Sequence, residues 1–220
     1  GVRAGDVKYF DYNEDGDISD ADRMNVGKAI PDFYGGITSN FSYKGFDLSL
    51  FGQFSVGGKV MSAWRGVNGS EGTDHLGLAL SNVKVSDRGE SVEQYFNVSK
   101  EVANGYWRGE GTSNTIPRPV RMGVHTGYDY DYNVQTSTRY LEDASYFKLK
   151  TVTLGYTLPE SVVKKLRVNS LRVYVSADNL LTLTKYSGYD PETSFSGSPG
   201  DSNYGVDFGL QPVLRTFILG

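Results

Sequence analysis

Ala144-Ser145-Tyr146-Phe147-Lys148-Leu149-Lys150-Thr151-Val152-Thr153-Leu154-Gly155-Tyr156-Thr157-Leu158-Pro159 is joined by a polar connector, Glu160–Ser170, to Leu171-Arg172-Val173-Tyr174-Val175-Ser176-Ala177-Asp178-Asn179-Leu180-Leu181-Thr182-Leu183-Thr184. Both arms are rich in β-branched and aromatic residues, which fit a pleated surface. In the second arm Leu171, Val173, Val175, Ala177, Leu181 and Leu183 share one parity, and Arg172, Tyr174, Ser176, Asp178, Thr182 and Thr184 the other. A period of two puts them on opposite faces of a strand. Each arm is longer than the usual soluble strand of about five or six residues. A strand of about ten residues tilted by roughly 45° crosses a bilayer. In the first arm Val152, Leu154, Tyr156 and Leu158 share a face while Phe147 and Leu149 fall on the other, so the parity flips near Lys150. Either a bulge sits there or the upper end leaves the membrane. The second reading is preferred, because it keeps Lys148 and Lys150 off lipid.

Working outward, residues 32–60 read as a hairpin. Phe33, Gly35, Ile37, Ser39, Phe41 and Tyr43 alternate with Tyr34, Gly36, Thr38, Asn40 and Ser42, and Lys44-Gly45 supplies the turn. The return arm sets Phe46, Leu48, Leu50 and Phe54 against Asp47, Ser49, Gln53 and Ser55. Such alternation serves a membrane barrel or a half-buried soluble sheet. The expected strands are 33–43, 46–60, 145–158 and 170–184, with a fifth starting near Arg215. In a barrel, Ile37, Leu48, Leu50, Phe54, Val173, Val175 and Leu181 face lipid.

Composition narrows the class. The 220 residues contain no Cys, which removes disulfides and thiolate metal sites. A net charge of −4 argues against a nucleic-acid partner. No run of 18 apolar residues exists, so a transmembrane helix is excluded while a barrel is not. The opening Gly1-Val2-Arg3 has neither Met nor an apolar leader, and the chain reads as an internal piece of a longer precursor.

Two segments carry candidate sites. Asp11-Tyr12-Asn13-Glu14-Asp15-Gly16-Asp17-Ile18-Ser19-Asp20-Ala21-Asp22 has the oxygen-ligand spacing of a calcium loop, with Gly16 at the sharp turn. Asp11, Asn13, Asp15, Asp17 and Asp22 are the candidate ligands of a structural Ca²⁺, and Ile18 is expected to turn inward and pin the loop. A bare Asp/Gly-rich surface turn is the other reading. Asp22 stands where an EF-hand has a longer Glu, and flanking helices are not evident. The long segment 61–143 exceeds an ordinary structureless loop. Its stretches His75–Val85 and Val92–Ala103 are each open to a short helix. Trp64, Trp107, Tyr128 and Tyr130 are candidate substrate-binding rings, since sugar faces stack on aromatics; equally, such rings pack a loop onto itself. Residues 185–214 form a second long loop. His75 and His125 are isolated and no Gly-x-Ser-x-Gly elbow occurs, so no enzyme is expected.

The chain resembles the C-terminal part of SusC/RagA-type TonB-dependent transporters of the Bacteroidetes outer membrane. The resemblance rests on Asp11–Asp22, Phe41-Ser42-Tyr43-Lys44-Gly45-Phe46-Asp47-Leu48-Ser49-Leu50-Phe51, Trp107 with Pro117-Arg118, and Tyr146–Pro159. Its most specific pieces are Asp178-Asn179-Leu180 and Lys185-Tyr186-Ser187-Gly188-Tyr189-Asp190-Pro191-Glu192, followed by Arg215-Thr216-Phe217. It implies an all-β fold: about the last five antiparallel strands of a plugged transmembrane barrel of about 22 strands, with long extracellular loops. On that division 1–31, 61–143 and 185–214 are extracellular loops, 32–60 and 144–184 are hairpins with periplasmic turns, and 215–220 begins a closing strand. The plug and TonB box of such transporters are not in these residues. The implied function is TonB-powered import of oligosaccharides, or in some members peptides, across the outer membrane. The implied partners are a SusD-like surface lipoprotein, the TonB complex and membrane lipid, with no nucleic acid. Two rivals stand beside it. One is a soluble calcium-binding β module of a secreted glycan-binding protein; dockerins share the Asp11–Asp22 pattern but carry it twice. The other is a glycan-cleaving enzyme, which needs a carboxylate pair about 5–10 Å apart.

Overall fold

The computed structural model describes residues 3–63, 65, 79–85, 91–95, 99–121, 133, 136–192 and 204–220, with the backbone alone at 79–85, 91–95, 120–121 and 166. In chain order its strands are β1 (Phe33–Tyr43), β2 (Phe46–Val56), β3 (Lys59–Ser62), β4 (Ala79–Val85), β5 (Ser91–Tyr95), β6 (Val120–Arg121), β7 (Leu141–Asp143), β8 (Tyr146–Thr157), β9 (Arg172–Thr184), β10 (Val206–Asp207) and β11 (Thr216–Leu219). Two short helices are α1 (Lys100–Gly105) and α2 (Glu160–Leu166). Among the described residues no helix is long and apolar enough to cross a membrane, which says nothing of strands. The chain divides into two compact units, Gly1–Val26 with Ser62–Leu141 and Gly27–Met61 with Glu142–Gly220.

The second unit is organised on a five-stranded antiparallel meander in the order β1-β2-β8-β9-β11. Tyr43 pairs with Phe46 across Lys44 (φ 47°) and Gly45 (φ 87°), so both turn residues are left-handed, as a two-residue hairpin turn requires. A Cβ on Gly45 would lie 2.8 Å from the Thr157 carbonyl oxygen, which leaves glycine as the fitting residue. The β8–β9 connector is more ordered than the expected polar turn. It holds α2, whose Val163 is buried and whose C-cap Arg167 is left-handed, donating to the Lys164 and Val163 carbonyls.

The register settles which side chains share a face. Phe33, Ile37, Phe41 and Tyr43 of β1 stand with Phe46, Leu48, Leu50 and Phe54 of β2, directly opposite or along the same face. Phe147, Leu149, Val152, Leu154 and Tyr156 of β8, then Val173, Val175, Ala177, Leu181 and Leu183 of β9, then Phe217 and Leu219 of β11 continue it. The opposite face carries Thr38, Asn40, Asp47, Ser49, Gln53, Tyr146, Lys148, Thr151, Thr153, Tyr174, Ser176 and Asp178; Phe51 and Ile218 are its apolar exceptions. Ile37, Val173, Val175 and Leu181 are exposed, as expected of a lipid face, while Leu48, Leu50 and Phe54 are half-buried by strands on both sides. A Val, Leu or Phe left in water forgoes about 1.5–3 kcal/mol of burial. A face of this size calls for cover, from lipid or from protein beyond these residues.

The preferred reading of the parity flip is corrected. Phe51 pairs with Thr151 and Gly52 with Leu149, so Lys150 is an extra residue, a bulge. The bulge returns Phe147 and Leu149 to the apolar face and turns Lys148 to the polar one. On its other edge β8 steps from Leu149↔Leu181 to Thr151↔Asp178, so β9 carries one residue more, at left-handed Asn179. Asn tolerates that conformation better than other side-chain-bearing residues.

Three further expectations change. The strand expected over 46–60 breaks at Gly57 (φ 79°) and Gly58 (φ 80°), and β3 pairs instead with β7 and β10. His75–Val85 is a strand from Ala79 onward, and its start lies outside the described residues. Val92–Ala103 is strand to Tyr95 and helix from Lys100, where the Ser99 hydroxyl accepts from the Val102 N–H, with 96–98 outside the described residues. The alternation Asn82-Val83-Lys84-Val85 is the sequence signal for the first of these strands; Ser91–Tyr95 carries no such period and is a strand because it pairs with Ser81–Val85.

Candidate functional site

The bulge at Lys150 positions an ion cluster on the polar face. Lys148 is 1% exposed. Its Nζ lies 2.6 Å from Asp190 Oδ1 and 2.8 Å from Glu192 Oε2, and Lys150 Nζ lies 2.8 Å from the same Glu192 oxygen. Two cations thus face two carboxylates, and the charge closes. Burial of this depth is tolerated only when paired and hydrogen-bonded.

The carboxylates come from Lys185–Glu192, which lies over the polar face as a strap. The Thr184 hydroxyl donates to the Ser145 carbonyl at 2.7 Å and accepts from the Tyr186 N–H at 3.0 Å. Buried Tyr186 donates its hydroxyl to Asp207, which also accepts from the Gly209 N–H at 2.8 Å. Ser187 donates N–H and hydroxyl to Glu142 at 2.8 and 2.7 Å. Gly188 leaves room for the Tyr186 ring, since a Cβ there would meet it at 2.3 Å. Asp190 accepts from the Glu192 N–H at 2.9 Å, which turns the chain at Pro191. Each of these residues has a mechanical task. Beside the strap is a cavity of about 180 Å³ lined by Tyr34, Gln53, Ser55, Tyr146, Glu192 and Tyr204, among others. Phenols, an amide and a hydroxyl around a charge-neutralised carboxylate offer hydrogen bonds to a hydroxyl-rich solute and no nucleophile–base pair.

Burial raises the Glu192 carboxyl pKa, but hydrogen bonds and charge from Lys148 and Lys150 outweigh it, and the net shift is downward from 4.5. A depressed folded pKa gives stability that is present above the unfolded value and lost as pH falls through the folded one. Hydrogen exchange of Tyr186–Glu192 in the complete protein, taken relative to the intrinsic rate of a free amide at each pH, is therefore expected to stay flat from neutral pH down to about 4.5 and to rise below it. A rise beginning at about pH 6, where histidine and not a carboxylate titrates, would contradict this.

The Asp-rich loop lies in the first unit. Gly16 has φ 88°, and its N–H donates to Asp11 Oδ2 at 2.8 Å. Asp22 Oδ1 accepts from the Tyr12 N–H at 2.8 Å and its Oδ2 from the Ser19 N–H at 2.7 Å, closing a capping box over the 3₁₀ turn Asp20–Asp22. These bonds, that from Ser19 foremost, hold the Asp22 carboxyl pKa below its usual value, and the Asp11 carboxyl lies against it. Asp11 Oδ1 is shielded and has no hydrogen-bond partner. Asp17 donates its N–H to Asp15 Oδ1 at 2.9 Å, and Asn13 Nδ2 donates to Asp15 Oδ2 at 2.7 Å. Among the described residues no three acidic or histidine side chains converge as a metal-holding group. The loop has the turn and the shielded oxygen that suit a hard cation, but Asn13 and Asp15 are spent on each other. Ile18 is 44% exposed, not inward, because the loop is closed by the hydrogen bonds to the Asp11 and Asp22 carboxylates and not by an apolar side chain.

Trp107 is half-buried with its ring on Gly5, where a Cβ would meet it at 2.3 Å, so it packs the first unit. Trp64, Tyr128 and Tyr130 lie outside the described residues. Arg118 belongs to a node in the same unit. Its Nε lies 2.6 Å from Asp6, and Asn133 Nδ2 donates to Asp6 Oδ1 at 2.9 Å and to the Arg118 carbonyl at 3.0 Å. Sequence reading did not single out Lys148, Lys150, Asp190 and Glu192 as a site. The available signal was two lysines around a parity flip and two carboxylates spaced by one proline.

No family model matches the chain. It is 32% identical over 215 residues, 96% of its length, to TonB-dependent receptor P3 of Formosa agariphila, and 32% identical over 218 residues to receptor P26 of that organism. It is 26% identical over 214 residues to TonB-dependent receptor SusC of Bacteroides thetaiotaomicron. The chain spans only 18%, 19% and 17% of those relatives. Among solved structures its fold is similar to the RagAB peptide transporter, with TM-score 0.60 and 22% identity over 88% of this chain and 17% of that one. The RagAB peptide importer in its closed-closed state is similar too, with TM-score 0.57 and 22% identity over 89% of this chain.

Proposed function

Because the chain belongs to the SusC/RagA kind of TonB-dependent receptor, we propose that its five-stranded sheet is a wall of an outer-membrane importer. The observation that carries this is the two-faced meander: one exposed apolar face for lipid and one polar face for the lumen. Open edges at β1 and β11 pair with further strands of a closed barrel, since unpaired backbone is costly in a bilayer. The relatives are receptors, and we assign this protein no enzymatic step.

The cargo proposed is an oligosaccharide taken up with TonB energy and a SusD-like lipoprotein lid. A peptide is the second reading, because the similar solved structures are of a peptide transporter and importer. The test is uptake of labelled oligosaccharides and peptides by cells carrying the complete protein, with and without a protonophore. Energy-dependent accumulation of oligosaccharide is expected; uptake that ignores the protonophore would overturn the active-import reading, and peptide accumulation alone would replace the cargo.

Asp11, Asn13, Asp15, Asp17 and Asp22 are proposed to hold a structural Ca²⁺, with oxygens at about 2.3–2.6 Å once Asn13 and Asp15 release each other. The shielded, unpartnered Asp11 Oδ1 against Asp22 supports this. Millimolar calcium is expected to protect the loop from proteolysis in the complete protein, and Asp11→Ala with Asp15→Ala to abolish protection while the barrel still assembles. Equal cleavage with calcium or chelator would leave a bare turn.

A further inference from the structure

The connector between β8 and β9 gathers positive charge on a chain whose net charge is −4. Lys164, Lys165 and Arg167 stand within four positions, against one carboxylate, Glu160. Lys164 is paired with Glu160 at 2.9 Å, with both side chains in solvent. Lys165 and Arg167 are exposed and make no ion pair among the described residues. The helix that presents them is held down: Val163 is buried and the Val168 N–H closes onto the Val163 carbonyl at 3.2 Å. The neighbouring Lys44-Gly45 turn is tied to the same end of the sheet by the Thr157 N–H, 2.8 Å from the Gly45 carbonyl, and adds a further cation, Lys44.

The apolar face at this end is aromatic. Tyr43 and Phe46 are exposed, and the rings of Phe46 and Tyr156 lie 4.4 Å apart. Val162, Val168 and Leu171 extend exposed apolar surface onto the connector beside the cations. Rings, then cations, in sequence along a strand end is the order of a bilayer boundary: aromatics at headgroup depth and lysine and arginine at the phosphates. A polyanion in free solution would use the charges but leave Val162, Val168 and Leu171 unused.

We propose that α2 and the Lys44-Gly45 turn form a headgroup-binding anchor, in which Lys165 and Arg167 take the phosphate of an anionic phospholipid in the leaflet at the short-turn end of the sheet. Lys44 adds charge, and the flanking valines and leucine enter the acyl boundary. The anchor pins the depth of β8 and β9, so that the strap at their other end keeps its height. The proposal rests on the barrel reading above.

Arg167 makes the test clean. Its φ of 58° is a conformation where glycine is the usual residue, so Arg167→Gly removes the charge without straining the fold. The complete protein in neutral detergent is titrated with phosphatidylglycerol, and bound lipid is counted by native mass spectrometry. Each cation near a headgroup layer is worth about fivefold in binding. Lys165→Gln is expected to weaken phosphatidylglycerol binding about fivefold, and Lys165→Gln with Arg167→Gly about twenty-fivefold, with no loss of thermal stability in Arg167→Gly. Unchanged binding by the double variant overturns the proposal, as does displacement of the lipid by an equal concentration of inorganic phosphate. A nitroxide at Val175 in the same protein, placed in nanodiscs, separates the two readings. If that label is in lipid while the double variant binds normally, only the anchor fails. If it is in water, the barrel reading fails and the anchor with it.

Discussion

Lys148→Met is expected to release the Lys185–Glu192 strap at a cost of about 3–5 kcal/mol, the range for removing one partner of a buried ion pair. The cost comes from what remains: Asp190, itself buried, loses its cation at 2.6 Å, and Glu192 keeps only Lys150. Lys150 reaches Glu192 but has no contact with Asp190 that would replace it. Proteolysis within the strap and a lowered urea midpoint of the complete protein in lipid are the readouts. A triple change, Lys148→Met with Asp190→Asn and Glu192→Gln, removes three of the four charges and leaves only the partly exposed Lys150; it is expected to recover part of the loss, since no buried carboxylate is left without its cation. The exposed pair Lys164–Glu160 gives the contrast. It uses the same chemistry in water, and Glu160→Gln is expected to cost less than about 1 kcal/mol. Equal small effects for Lys148→Met and Glu160→Gln would mean that the strap is held by its backbone and tyrosine contacts alone.

The second large effect separates neighbours on one strand. Ile37 and Thr38 are consecutive, both exposed and both in mid-β1, but they point to opposite faces. Ile37→Arg places a guanidinium in the hydrocarbon and is expected to cost about 2–4 kcal/mol. Thr38→Arg faces the lumen and is expected to change stability by no more than about 0.5 kcal/mol. Folding yield and urea unfolding of the complete barrel in vesicles measure both. If the two substitutions cost the same, the faces are not lipid and lumen.

The period of two made β1, β2, β8 and β9 legible, because a strand with one apolar face must alternate. The Lys44-Gly45 turn was legible because few residues accept two successive left-handed conformations. The bulge was visible only as a broken pattern, and pattern alone could not choose between an extra residue and an exit from the membrane. The choice turned on where Lys148 finds its counter-charges, and those lie 42 and 44 residues further along the chain. For the same reason the strap was readable as a family motif, while its carboxylates were not readable as partners of β8. Gly57-Gly58 ended β2 early because left-handed glycines end a ladder whatever the hydropathy beyond them. In Ala79–Tyr95 the helix expectation lost to strand pairing, a tertiary effect that local propensity does not carry.

A nitroxide scan of β8 in the complete, lipid-embedded protein tests the central claim most directly, and the chain's lack of native cysteine leaves each introduced label unique within it. Labels are placed singly at Phe147, Leu149 and Thr151 through Thr157, and collision with oxygen is compared with collision with a water-soluble nickel complex. The account predicts oxygen maxima at 147 and 149, a phase break at Lys150, and maxima again at 152, 154 and 156, with the nickel signal opposite throughout. An unbroken alternation through Lys150, or nickel access at 152, 154 and 156, would contradict a bulged strand with one face in lipid.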